Sequence, residues 1–168
     1  MADRTVTFKG SPLKIVGTEI NGGDKAPDFE VLDNGLAPVK FSSLKGKTLV
    51  ICSVPSLDTP VCDLEMRRFN TEAAKLGPNV RILCISADLP FAQKRWCGAA
   101  GADAVTTLSD HRQVSFAKAY GVLIEDWRLL ARAVFVVDKN GIVRHAQIVP
   151  EIAQEPDYKS ALDAIARL

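Results

Sequence analysis

The sequence predicts one α/β domain, a mixed central sheet flanked by helices and extended at its N-terminus by a β-hairpin. Three observations predict it. Residues 48–54 and 80–86 are apolar on both faces, as central strands are. A helical spacing of apolar residues fills the interval between them, which makes a β-α-β unit. Farther on, Asp138-Lys139-Asn140-Gly141 separates two more apolar segments and carries the Asn-Gly hairpin signal. At 168 residues the chain has single-domain length, so residues 1–168 are read as one domain with 1–20 as the hairpin extension.

The elements follow in order. Residues 5–17 alternate polar and apolar around Gly10-Ser11-Pro12, which reads as a hairpin. Short half-buried strands are expected at 29–31 and 39–41. The central strand at 48–54 leads to a helix over 60–76, read on the spacing Val61, Leu64, Phe69, Ala73, Leu76 and ended by Gly77-Pro78. The strand at 80–86 leads to a helix over 90–100, and a strand over 105–108 to a helix over 110–120, stopped by Gly121. Residues 133–137 and 142–149 form the late hairpin, and 156–168 a closing helix. A β-α-β-α-β run followed by an antiparallel hairpin and a helix is the thioredoxin-like arrangement.

Composition bounds the function classes. The chain is 47% hydrophobic and 24% charged, with 21 basic and 20 acidic residues for a net charge of +1. That balance excludes a disordered chain and offers no basic field for nucleic acid. No apolar run approaches the ~20 residues that span a bilayer, so no membrane partner is expected. Residues 1–14 lack a basic start followed by an apolar block, and the expected location is the cytoplasm. The four cysteines, Cys52, Cys62, Cys84 and Cys97, contain no C-x-x-C pair, and His111 and His145 lie near no cysteine cluster. Neither a zinc site nor any other cofactor is expected. In a reducing compartment, a reactive thiol is a better use of cysteine than a disulfide framework.

The stretch Pro55-Ser-Leu-Asp-Thr59-Pro60-Val61-Cys62 carries the chemistry. It lies at the C-terminal end of a buried strand and opens a helix, where ligands of open α/β sheets gather. Thr59 suits the N-cap and Pro60 the first helical position. Cys62 then falls in the first turn, where unpaired N–H groups and the positive dipole end favour a thiolate. Thiolate character alone does not make a fast enzyme. For any thiol, a pKa drop from about 8.5 to about 6 gains roughly thirtyfold in thiolate at pH 7 and loses about tenfold in nucleophilicity. The rest must come from donors aimed at the reacting atoms. Arg132, entering the apolar run 133–137, is the candidate donor. Cys52 and Cys84 lie inside apolar strands and read as core. Asp63 and Glu65 read as a solvated face, Trp96 as core, and Trp127 as either core or pocket wall.

Pro55-x-x-x-Thr59-x-x-Cys62 resembles the Pro-x-x-x-Thr-x-x-Cys motif of the peroxiredoxins. The stretches 55–62, 84–93, Ala131-Arg132-Ala133 and Glu155-Pro-Asp-Tyr158 resemble the bacterial thiol peroxidase branch of that family. The resemblance implies that Cys62 is the peroxidatic cysteine and that the Thr59 hydroxyl bonds thiolate and substrate. It implies that Pro55 shields the pocket and that Arg132 stabilises the thiolate and polarises the O–O bond. It implies that Cys97 is the resolving cysteine, giving an intramolecular Cys62–Cys97 disulfide reduced by thioredoxin. Hydrogen peroxide and organic hydroperoxides are the implied substrates, antioxidant defence the implied role, and a homodimer the implied assembly. A cysteine held in a helix's first turn must be freed to reach a partner, so local unwinding around Cys62 is expected on oxidation. The segment between Gly121 and Arg132 is shorter than in some relatives, which bears on substrate size. Two other readings stay open on the residues alone. One is a thioredoxin-like disulfide oxidoreductase, which the 35-position spacing of Cys62 and Cys97 disfavours. The other is a non-catalytic thioredoxin-fold interaction module, which has no use for Thr59, Cys62, Arg132 and Cys97 together.

Overall fold

Strand after strand, side chains alternate between two cores, and that alternation sets where the site lies. In the computed structural model, which describes residues 3–102 and 104–168, the central sheet has seven strands. They are β3 (Glu30–Leu32), β4 (Pro38–Lys40), β5 (Thr48–Ser53), β6 (Val80–Ser86), β7 (Val105–Ser109), β10 (Ala133–Val137) and β11 (Val143–Ile148). Their order is β11-β10-β5-β6-β7-β3-β4. The β5, β6 and β7 strands are parallel, and β10 joins β5 antiparallel with Ala133 opposite Ser53. On β5, Leu49 and Ile51 enter one core while Val50 and Cys52 enter the other. The second core receives α1 (Pro60–Leu76), α2 (Pro90–Ala100) and α4 (Tyr158–Ala166). The first receives α3 (Ser115–Ala119) and the N-terminal hairpin.

That hairpin, β1 (Arg4–Phe8) and β2 (Ser11–Val16), extends into a second sheet of order β1-β2-β8-β9. The added strands β8 (Leu123–Ile124) and β9 (Leu129–Leu130) were not foreseen, because two residues carry no readable alternation. Gly121 lets this sheet pack tightly: its φ is +66°, and a Cβ there would meet the Thr18 carbonyl oxygen at 2.5 Å.

Most expected elements lie within a residue or two of their predicted bounds. The exception is the helix expected over 110–120, which is helical only over Ser115–Ala119. Val114 is left-handed with φ 46°, and the Asp110 carboxylate accepts the Phe116 and Ala117 N–H groups at 3.2 and 2.9 Å. Residues 110–114 thus wrap the carboxylate as a turn instead of extending the helix. Burial pushes Asp110 up to about 6, against the lowering by those N–H bonds.

Candidate active site

Thr59 stands at the N-cap of α1 with extended dihedrals, and Pro60 follows at the first helical position. The Thr59 side chain does not cap the helix. Its Oγ1 donates instead to the Ser56 carbonyl at 2.9 Å, which folds the preceding loop back on itself. Pro55 is buried beneath that loop, while Thr59 is exposed. Cys62, two positions past Pro60, is fully buried in the first turn of α1.

Arg132 reaches it from the sheet. It precedes β10 and is 1% exposed, so its guanidinium must find every partner inside the protein. Nη2 donates to Cys62 Sγ at 3.2 Å, Nη1 to Glu65 Oε2 at 2.6 Å, and Nε to the Ile152 carbonyl at 3.0 Å. The N-terminal hairpin braces that last acceptor, because Ile152 N–H donates to the Thr7 carbonyl at 2.8 Å. Burial by itself would lower the Arg132 pKa, but the facing Cys62 and Glu65 outweigh it and raise it. A planar cation buried this deeply, with three fixed acceptors, is held in one orientation. It presents positive charge to the sulfur at no cost of reorganisation.

Glu65 is the correction to the sequence reading. It was expected on a solvated face and is instead wholly buried. The buried stripe of α1 runs Cys62, Glu65, Met66, Phe69, while Leu64 is 55% exposed. The stripe read from Val61 and Leu64 was therefore one position out of register. Counting i, i+3, i+4, i+7 from Cys62 places Glu65 inside. Burial pushes Glu65 up to about 7 even though Arg132 pulls the other way, and its Oε1 has no hydrogen-bond partner. Only one of its carboxylate oxygens is paired, so the cost of burying the charge prevails.

Cys97 lies on α2, half-buried, with Sγ 3.3 Å from Thr107 Oγ1; that hydroxyl donates to Asn34 Oδ1 at 3.0 Å. Cys62 and Cys97 are both free thiols and belong to the same core cluster, Cys97 at its margin. Cys52 and Cys84 face each other across β5 and β6, fully buried. Burial raises both their pKa values, so they stay protonated.

A model of the redoxin family matches residues 21–162. The thiol peroxidase of Bacillus subtilis (strain 168) is 54% identical over 163 residues, 97% of each chain. That of Staphylococcus aureus (strain MRSA252) is 54% identical over 159 residues, covering 95% of this chain and 96% of its own. The chain belongs to the redoxin family, among its thiol peroxidases. It is a peroxidase enzyme of that family, and the expected fold and family both hold. A peroxiredoxin-like protein from Aquifex aeolicus superposes with TM-score 0.91 at 42% identity, over 98% of this chain and 96% of its own. The thiol peroxidase from Chromobacterium violaceum superposes with TM-score 0.89 at 20% identity, which speaks for the fold alone.

Around this candidate site, the remaining candidates divide. Asp63 accepts Trp96 Nε1 at 2.7 Å and Arg67 Nε at 2.8 Å, so it ties α1 to α2. Trp96 is core, as expected, with its one polar atom satisfied. Trp127 is not core. It is 41% exposed and packs edge-on against Phe8 of the hairpin at 5.4 Å. Among the described residues no group of three His, Cys, Asp or Glu side chains is placed to hold a metal, and no helix is long and apolar enough to cross a membrane.

Proposed function

We propose that the enzyme reduces hydrogen peroxide and organic hydroperoxides at Cys62. The observation that carries this reading is the buried 3.2 Å contact between Arg132 Nη2 and Cys62 Sγ. The Cys62 thiolate attacks the distal peroxide oxygen. The S–O bond forms, the O–O bond breaks, and the alkoxide or hydroxide leaves with a proton as alcohol or water. Sulfur is oxidised to the sulfenic acid. Arg132 stabilises the thiolate before attack and the leaving oxygen during it. Thr59 orients the peroxide with its hydroxyl, and Pro55 keeps bulk water from the sulfenate.

The Cys97 thiol then displaces water from the Cys62 sulfenic acid, giving an intramolecular disulfide. Thioredoxin reduces it by dithiol exchange and is itself oxidised. The reading places the enzyme in the cytoplasm, where such a reductant is available, and in antioxidant defence. It also takes the enzyme as a homodimer. The exposed Leu64, Leu89 and Phe91, on elements flanking the Cys62 loop, support an apolar contact there.

The test is intact mass of reduced protein after one equivalent of cumene hydroperoxide, followed by peptide mapping. The expected result is a loss of about 2 Da mapped to a Cys62–Cys97 link. A stable gain of about 16 or 32 Da on Cys62 removes Cys97 from the cycle. Four free thiols after prolonged exposure overturn the reading altogether.

A further inference from the structure

Asp88 lies in the turn between β6 and α2, two residues before Pro90, and the chemistry above does not use it. Its carboxylate is nonetheless filled with donors from the Cys62 loop. Oδ1 accepts the Ser56 hydroxyl at 2.7 Å; Oδ2 accepts the Leu57 N–H at 2.9 Å and the Ser86 hydroxyl at 2.7 Å. The carboxylate is itself well anchored. The Ser109 hydroxyl donates to the Asp88 carbonyl. Gln93 Nε2 donates to Ser86 Oγ at 3.0 Å and to the Leu108 carbonyl at 2.8 Å. Ser86, Gln93 and Ser109 are all buried.

From Asp88 the restraint passes directly to the helix start. The Ser56 carbonyl accepts both the N–H and the hydroxyl of Thr59, at 3.2 and 2.9 Å, and the Thr59 carbonyl accepts the Asp63 N–H at 3.0 Å. Among the described residues, two other side-chain ties from α2 reach this region: Trp96 Nε1 donates to Asp63 at 2.7 Å, past the loop and already on α1, and on the loop itself Arg95 pairs with Asp58 at 3.9 Å between exposed groups, worth little in water. The carboxylate thus clamps the loop that leads through Thr59 into the first turn of α1, where Cys62 sits, to the turn that launches the helix carrying Cys97.

We propose that Asp88 is the positioning residue that holds the Cys62 loop in its peroxide-reactive form, and that its release is the step that lets Cys62 and Cys97 meet. This rests on the reading that Cys97 resolves Cys62. Cys62 is wholly buried in a helical turn, whereas Cys97 turns its sulfur to Thr107, so a bond between them requires the loop to leave its seat. A clamp made of two bonds to one carboxylate suits this purpose. Each bond to a charged acceptor shifts the seated-to-released ratio about tenfold, enough to keep the loop seated and few enough to let go.

The experiment compares the wild type with Asp88→Asn and Ser56→Ala. Ser56→Ala removes one clamp bond and leaves the Asp88–Ser86–Gln93 anchor whole. Amide exchange of the reduced proteins is read over residues 57–63, with β5 and β6 as internal controls. In the same proteins, rapid-quench mass spectrometry follows conversion of Cys62 sulfenic acid to disulfide and to the sulfinic acid under excess peroxide. We expect exchange at 57–63 to quicken about tenfold in each variant with the control strands unchanged. Disulfide formation should quicken about tenfold, and the sulfinic fraction should fall in proportion. Unchanged exchange at 57–63, unchanged disulfide formation, or quickened exchange throughout the molecule overturns the clamp. If the wild type forms no Cys62–Cys97 disulfide, the resolving role of Cys97 fails. The exchange at 57–63 in reduced protein still decides whether Asp88 holds the loop.

Discussion

The two cysteines assigned to the cycle sit in opposite surroundings. Cys62 is fully buried, faces a guanidinium, and belongs to a turn whose donors and dipole favour negative charge. Cys97 is half-exposed on a helix side and faces a neutral threonine hydroxyl. The first site is organised for charge and the second for access. A nucleophile needs its field before the substrate arrives, and a field is strong only where water is excluded. A resolving thiol acts on an electrophile already made, so it needs only to be reachable.

The comparison can be broken in steps of decreasing effect. Cys62→Ser should abolish hydroperoxide reduction, a loss of about a thousandfold or more in a coupled thioredoxin assay, because a neutral hydroxyl is a weak nucleophile. Cys97→Ser should leave the first reaction with peroxide within about twofold in stopped flow, yet end turnover. Cys62 would then collect oxygen in steps of about 16 Da. If both variants slowed the first reaction alike, the division of labour would be wrong.

Glu65→Gln is expected to act on pH dependence. The wild-type carboxyl is pushed up to about 7 by burial, against 4.5 in an ordinary setting. A raised folded value means that the stability linked to this group is full below about pH 4.5 and declines as pH rises through about 7. Urea unfolding between pH 5 and 8 should therefore show the wild type losing up to about 3 kcal/mol relative to Glu65→Gln as pH rises. Parallel curves would mean that Arg132 holds Glu65 ionised throughout. Trp96→Phe should cost about 2–3 kcal/mol, the bond to the Asp63 carboxylate and part of a buried ring, and leave peroxide kinetics unchanged.

The fold was legible where pattern is long. The doubly apolar strands β5 and β6 and the proline-started helices α1 and α2 lie where periodicity placed them. It failed where one side chain or two residues decide the structure. Asp110 turned the first half of a predicted helix into a loop, and β8 and β9 are too short to show a period. Within the site, Cys62 could be placed on its turn from Thr59-Pro60 alone. Glu65 was misread because an exposed leucine, Leu64, set the helix register one residue off. The pairing of Cys62 with Arg132, 70 positions away, has no local signature. Arg132 stood out as a donor only because it enters the apolar run 133–137, and the resemblance to a family tied it to Cys62.

The most direct test of the central claim, that a buried arginine drives the chemistry of Cys62, is the second-order rate of reduced enzyme with cumene hydroperoxide for wild type and Arg132→Lys. Lysine keeps the charge but loses the planar fork that reaches Cys62, Glu65 and the Ile152 carbonyl at once. The account predicts a fall of about a hundredfold or more at pH 7, in a variant still folded by circular dichroism. A rate within about threefold of wild type would contradict it.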